Sequence, residues 1–337
     1  MNDRSVELLE QYEVEVRGTR KGRGAILCDT DQGTLIFKEY TGNAGRVELQ
    51  NMLLQEIARR GRVETESILP TREGGLFAQD TDGTKYLLKT WSEGRECNIY
   101  DKGECAEAVR LLARLHDCME LPGDTPGLPE AFSQEREYEK HNRELKRVKK
   151  YLKQRGQKTW FEISLLNDFD FFLEQALAVT EQWQAYSASQ GSQVQGKDGT
   201  RSFCHGDYQY HNILKGKEGW FLVNFEKCLP DNPVRDVYLL MRKFLEKGNW
   251  SVALGTELLE TYGRERPIGA YSWIDLYYRL SYPEKFWKIV NFYYNSGKAW
   301  IPGRNQEKLE KLVAQEKDKQ HFLDAVFRDV SRMAAQG

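Results

Sequence analysis

From Phe203 to Leu214 the chain reads Phe-Cys-His-Gly-Asp-Tyr-Gln-Tyr-His-Asn-Ile-Leu, which places His205, Asp207 and Asn212 in one short segment. A carboxylate with an amide five residues on is a spacing with chemical content. Asp207 can take the proton of an acceptor hydroxyl, and the Asn212 oxygen can turn back toward a cation that neutralises phosphate charge. A strand candidate, Trp220-Phe221-Leu222-Val223, then leads into Asn224-Phe225-Glu226, so Asn224 can offer a second oxygen to that cation from the neighbouring strand. Upstream, Lys38 closes the apolar run Thr34-Leu35-Ile36-Phe37 and suits a phosphate. Glu48 opens the next helical pattern and can pair with Lys38; Glu56, two turns on, is the alternative. Gly18, Gly22 and Gly24, interleaved with Arg17, Arg20, Lys21 and Arg23, form a basic loop able to wrap phosphates. The chemistry implied is phosphoryl transfer from ATP with Mg²⁺, with Asp207, His205 and Asn212 in the catalytic loop. There His205 reads as a hydrogen-bonded scaffold rather than a proton shuttle, and His211 faces either substrate or core.

These residues need a particular set of elements to hold them. Tyr12 to Val16 alternates with period two, Ala25–Cys28 and Thr34–Lys38 flank the turn Asp31-Gln32-Gly33, and Leu76–Gln79 and Thr84–Lys89 read as further strands. Val47 to Arg60 is helical with Gly61 as its cap, inserted after the third strand. After Trp91 the pattern turns helical, over 97–119, 135–155 and about 161–189. A polar loop over 190–200 follows, then the segment carrying Asp207, then more helix from Asp236 on. The expectation is an α+β chain with an antiparallel-sheet N-terminal lobe over 1–90 and a mainly helical lobe over 91–337. The aromatic clusters around Tyr277-Tyr278, Trp287 and Phe292-Tyr293-Tyr294 read mainly as core.

Composition narrows the field. With 337 residues, 12% aromatics and 30% charged residues, the chain can fill a substantial core. The 49 Lys and Arg nearly balance 51 Asp and Glu, so nothing calls for nucleic acid or an anionic membrane. The stretch from Glu135 to Arg155 is locally about +5, but its acidic residues dilute it and stacking aromatics are not interleaved, so it reads as a solvated face. Six cysteines without a Cys-x-x-Cys pair read as reduced, packed thiols of a cytosolic chain. The acidic, amphipathic N-terminus is not a signal peptide, and no apolar run approaches a membrane span.

The order Lys, helical Glu, His-x-Asp-x-x-x-x-Asn on a strand-rich lobe followed by a helical one matches the protein-kinase pattern. His205-Gly206-Asp207 is similar to the form seen in aminoglycoside and choline kinases. The stretch Tyr282-Pro283-Glu284-Lys285-Phe286-Trp287-Lys288-Ile289, with Tyr293-Tyr294-Asn295-Ser296 and Lys298-Ala299-Trp300-Ile301-Pro302, resembles the CotS-type spore coat proteins. Those proteins have an aminoglycoside-phosphotransferase-like, two-lobed, protein-kinase-like fold. Glu93-Gly94-Arg95-Glu96 and the segment from Asp231 to Asp236 resemble that family as well. The resemblance implies ATP against Lys38 and the segment from Lys89 to Trp91, Mg²⁺ on Asn212 and Asn224, a buttressing role for Asp236, and a small-molecule hydroxyl acceptor. It also implies synthesis in the cytoplasm, assembly into an endospore coat, and other coat proteins as partners.

One residue departs from the family pattern. Its metal-binding Asp is Asn224 here, which keeps an oxygen and loses a full charge, and Mg²⁺ prefers carboxylates. The first expectation is therefore a coat protein that binds nucleotide with weak or lost phosphotransferase activity. The alternative is an active ATP-dependent phosphotransferase of the aminoglycoside- or choline-kinase kind.

Overall fold

The computed structural model describes residues 4–22, 24–190, 199–295 and 303–334. Arg23, the loop over 191–198 and the motif residues over 296–302 lie outside the described residues. Packing divides the chain into one unit formed by Met1–Glu130 with Gln195–Asp231 and a second formed by Ala131–Val194 with Asn232–Gly337. The break expected at residue 90 coincides with the end of a sheet strand, whereas these units divide the chain elsewhere.

In the first unit, a single turn α1 (Arg4–Glu7) precedes strands β1 (Val16–Gly22), β2 (Ala25–Thr30) and β3 (Gly33–Tyr40). Helix α2 (Ala44–Arg60) follows, then the short strands β4 (Glu64–Thr65), β5 (Ile68–Leu69) and β6 (Ala78–Gln79), and β7 (Lys85–Thr90). The sheet runs β1-β2-β3-β7-β5 with β6 also on β7, and every pairing is antiparallel. The segment read as a basic loop is therefore mostly strand. Residues from Val16 to Gly22 pair with β2 except Arg17, which falls at a bulge, and Gly24 beyond them takes φ +70°. The alternation read from Tyr12 marks burial instead of a strand. The Tyr12 hydroxyl bonds the Tyr86 carbonyl and the Ala78 amide, and its ring meets the edge of Phe37.

One face of this sheet buries Ile26, Cys28, Leu35, Phe37, Tyr86 and Leu88, with Phe37 stacked on Tyr86 at 5.1 Å. The opposite face carries the lysines. Lys38 pairs in register with Leu87, and Lys89 with Ile36, so the two ammonium groups are diagonal neighbours on one side. Helix α2 starts where the Asn43 side chain accepts from the Arg46 amide at 2.9 Å, and it ends at Gly61 in the left-handed region. It buries Val47, Gln50, Leu53, Leu54 and Ile57.

The unit is completed by β8 (Arg95–Glu96), α3 (Lys102–Cys118), β9 (Glu120–Pro122), β10 (Thr200–Cys204), β11 (Ile213–Lys215), β12 (Trp220–Leu222) and β13 (Leu229–Pro230). Strands β11 and β12 form a hairpin, so the chain leaves β10 through His205 to Asn212 and returns to the same place at Asn224.

The second unit is helical: α4 (Gln134–Gln154), α5 (Trp160–Gln190), α6 (Val234–Lys247), α7 (Val252–Glu265), α8 (Ala270–Ser281), α9 (Glu284–Asn295), α10 (Gly303–Ala314), α11 (Glu316–Val326) and α12 (Arg328–Ala334). Helix α4 packs on α5 and α9, with Tyr138 stacked on Tyr282 at 4.1 Å and His141 on Trp287 at 3.5 Å. Tyr277 and Tyr278 are core as expected, but Phe292 and Tyr294 are exposed. All six cysteines are free and buried, and burial pushes the Cys28 and Cys105 thiols up to about 11. Among the described residues, no helix is long and apolar enough to cross a membrane.

Candidate active site

His205, at the end of β10, is fully buried and held at both ring nitrogens. Nδ1 accepts from the Asp207 amide at 3.2 Å, so Nε2 carries the hydrogen and donates to the Val223 carbonyl at 3.0 Å. One imidazole thus ties the Asp207 loop to the end of the following hairpin, the scaffold task expected of it. Gly206 between them is required sterically. Its φ is +78°, and a Cβ there would lie 2.1 Å from the Lys227 carbonyl oxygen.

That close approach brings Lys227 to Asp207. The Lys227 ammonium donates to Asp207 Oδ2 at 3.0 Å, and the Gln209 amide donates to Oδ1 at 2.7 Å. Burial alone raises the Asp207 pKa, but the Lys227 hydrogen bond and charge, aided by Gln209, outweigh it and hold the carboxyl below its ordinary range.

The amide network has a direction forced by its first member. The Asp207 carbonyl can only accept, so Asn212 turns Nδ2 to it at 2.7 Å and presents Oδ1 outward. Asn224 therefore donates Nδ2 to that Oδ1 at 2.8 Å, leaving its own Oδ1 to accept from Lys38 Nζ at 3.2 Å. Asn224 sits in the left-handed region at φ 67°, a conformation Asn tolerates better than most residues.

Lys38 also donates to Glu226 Oε1 at 3.1 Å, and Lys89 donates to the same oxygen at 2.9 Å. Lys89 is wholly buried, and its second partner is the equally buried Glu66 at 3.0 Å. Glu66 also accepts from the Phe225 amide at 3.1 Å and from Gln50 on α2 at 3.4 Å. Two lysines and two glutamates thus cancel their charge in a confined space, the condition under which ions tolerate burial. Desolvation pushes the Glu226 pKa up, but Lys89 and Lys38 overcome it and hold the carboxyl near 2.

The sequence expectations are met unevenly. Lys38, Asp207, Asn212, Asn224 and His205 come together in one network. Glu48 is exposed on α2, and Glu56 is engaged by Arg59 and Arg60, so among the described residues neither pairs with Lys38. The buried polar residue of that helix is Gln50. Gly18 lies within β1, Gly22 ends it, and Gly24 lies at the hairpin tip. Sequence reasoning missed Glu226, Glu66 and Lys227, and it named Lys89 only as the start of a nucleotide-side segment, not as a partner of two glutamates. The signal available was Glu226 two residues after Asn224 and Lys89 in step with an apolar strand.

As a divalent-cation site, the donor set fits poorly. Asn212 and Asn224 offer neutral amide oxygens that already accept from protein donors, and the Glu226 carboxylate sits between two ammonium groups. Among the described residues, no group of three His, Cys, Asp or Glu side chains is arranged to hold a metal.

The family model described as "Spore coat putative kinase YutH" matches residues 5–326. The chain belongs to the YutH family of spore coat kinase-like proteins. Three solved structures illustrate its fold. An aminoglycoside phosphotransferase from Alicyclobacillus acidocaldarius aligns with a TM-score of 0.80 at 17% identity, over 97% of this chain and 96% of that one. Spectinomycin phosphotransferase APH(9)-Ia, solved with ADP and spectinomycin, aligns at 0.62 and 14% identity, over 94% of both chains. The amicoumacin kinase hAmiN, solved with AMP-PNP, Ca²⁺ and Ami, aligns at 0.62 and 11% identity, over 95% of this chain and 94% of that one. No curated protein matches the chain. This YutH-family chain therefore has the kinase-like aminoglycoside phosphotransferase fold, with its sheet N-terminal and its helices mainly C-terminal.

Proposed function

We propose that this YutH-family protein is a coat-associated nucleotide binder with weak or lost phosphotransferase activity. Lys38 is its principal phosphate contact, and nucleotide binding is largely independent of Mg²⁺. The observation supporting the reading is the Lys38–Asn224–Asn212 chain of hydrogen bonds, in which both amide oxygens already accept from protein donors and neither carries a charge for a cation. The second reading, an active phosphotransferase on a small-molecule hydroxyl, is favoured by Asp207, which stays ionised beside Lys227 and Gln209 and can serve as base once a hydroxyl displaces Lys227. In that reading the exposed Lys227 side chain is free to follow phosphate charge. Titration calorimetry with ADP and ATP, each with Mg²⁺ and with chelator, tests both readings alongside an ATPase assay. Binding that ignores Mg²⁺, with little turnover, supports the first. Mg²⁺-dependent binding with sustained turnover supports the second. Absence of nucleotide binding under every condition rejects both.

A further inference from the structure

The basic helix α4 was expected to be diluted by its own acidic residues. Its four glutamates are instead turned toward neighbouring helices. Glu135 and Glu139 accept from Gln184 on α5 at 3.0 and 3.1 Å, and Glu144 accepts from the Trp287 indole on α9 at 2.7 Å. Glu137 lies 3.9 Å from Arg235 on α6. Of the basic residues of α4, Lys149 pairs with Asp170 on α5, and the others are left on the outer face. Arg136, Lys140, Arg143, Lys146, Arg147, Lys150 and Lys153 are all exposed. Arg143 has Glu139 at 3.8 Å, and the other six have no ion pair among the described residues.

Arg136, Lys140, Arg143, Arg147 and Lys150 follow one another in alternating steps of four and three residues, which aligns them along one helix face. At the helical rise they span about 21 Å. At the C-terminal end of this stripe stand Tyr151, 43% exposed, and Trp160, 74% exposed. Arg155 fixes that end by bonding the Tyr151 hydroxyl at 3.3 Å and Glu162 at 2.8 Å. A row of exposed cations, of which only Arg143 has an ion pair among the described residues, ending in exposed aromatics has the composition of a recognition surface: charge for steering and register, aromatic area for affinity.

We propose that the outer face of α4 docks an acidic polypeptide segment. Charge complementarity selects an anionic partner. The segment from Glu135 to Arg155 carries +5 in a chain of net −2, which leaves −7 on the remainder. Between Arg136 and Lys150 no exposed aromatic is interleaved for base stacking, so the stripe suits a carboxylate-bearing polypeptide better than a nucleic acid. This inference does not depend on the nucleotide reading, because its residues are separate from that network.

The test is fluorescence anisotropy at physiological salt (about 0.15 M). The probes are a labelled peptide of Glu-Glu-Leu repeats, its Gln-Gln-Leu counterpart, and a short single-stranded DNA. The variants are the triple reversal Lys140→Glu, Arg147→Glu, Lys150→Glu and a control reversal of exposed lysines on α10 and α11, Lys308→Glu, Lys311→Glu, Lys317→Glu. Thermal melts confirm that each folds. The expected result is binding of the acidic peptide alone, weakened more than about ten-fold by the α4 reversal and little changed by the control. Failure of the acidic peptide to bind, equal loss in both variants, or tighter binding of DNA than of peptide would each overturn the proposal.

Discussion

Replacing Asn224 with Asp tests the amide network at its most informative point. Asn212 is 1% exposed, and its Oδ1 accepts from Asn224 Nδ2. In Asn224→Asp that donor disappears and a carboxylate oxygen faces the Asn212 oxygen. Leaving a buried acceptor unsatisfied costs about 1–3 kcal/mol. The new charge also meets the Lys38 ammonium, now 3.2 Å from Asn224 Oδ1, but the Lys38 side chain is 34% exposed, so screening limits that gain to about 1 kcal/mol. The metal-free variant should therefore be no more stable than wild type, and up to about 2 kcal/mol less stable. A divalent cation reverses the sign, because two oxygens facing each other, one of them charged, become ligands. At ten times its Kd the cation contributes about 1.4 kcal/mol, which for a chain of this size raises Tm by about 2 °C. Differential scanning fluorimetry in Mg²⁺ and in chelator reads this directly, and calorimetry with ADP gives the matching change in nucleotide affinity. Wild type should be indifferent to Mg²⁺, and the variant should respond. Equal Mg²⁺ responses in the two proteins, or a variant that melts higher than wild type in chelator, would refute the reasoning.

Three further outcomes follow from the same network. Lys38→Ala should weaken ADP binding about ten-fold or more by removing a charge-assisted contact, with the fold retained because Lys89 still neutralises Glu226; calorimetry measures it. Glu226→Gln should lower Tm near neutral pH and flatten its fall in acid. The folded Glu226 titrates near 2 and the unfolded one near its ordinary 4.5, so its contribution is complete above 4.5 and is lost as pH falls toward 2, which melts from pH 7 to 2 on both proteins will show. Gly206→Ala should cost about 2–4 kcal/mol, from left-handed strain and collision with the Lys227 carbonyl, measured by denaturant unfolding. Unchanged stability in that variant would mean the loop bends more easily than its packing suggests.

Local pattern was enough to mark several elements. The hairpin around Gly33, the helix ending at Gly61, and the long helices α4 and α5 are written in nearest-neighbour terms: turn residues, a left-handed cap, and a regular apolar period. The segment from His205 to Asn212 was legible for a related reason, since its residues lie within one loop and their spacing is part of the chemistry. The resemblance to kinase-like coat proteins rested on such short motifs, and the family match agrees with it.

What the sequence left open are pairings set by register and by the return of distant segments. Glu48 looked like the partner of Lys38 because it opens the next helix, but α2 buries Gln50 and turns Glu48 to solvent. The β3–β7 register makes Lys38 and Lys89 diagonal neighbours, and the β11–β12 hairpin delivers Glu226 to both, from 188 residues away in the case of Lys38. The glutamates of α4 and the basic residues beside them alternate along the same helix, yet packing against α5, α6 and α9 engages the glutamates and, except for Lys149 on Asp170, leaves the basic residues exposed. Helix period and turn chemistry depend on neighbours along the chain. Which charge meets which depends on contacts the chain makes only once it has folded, and there the tertiary structure decided.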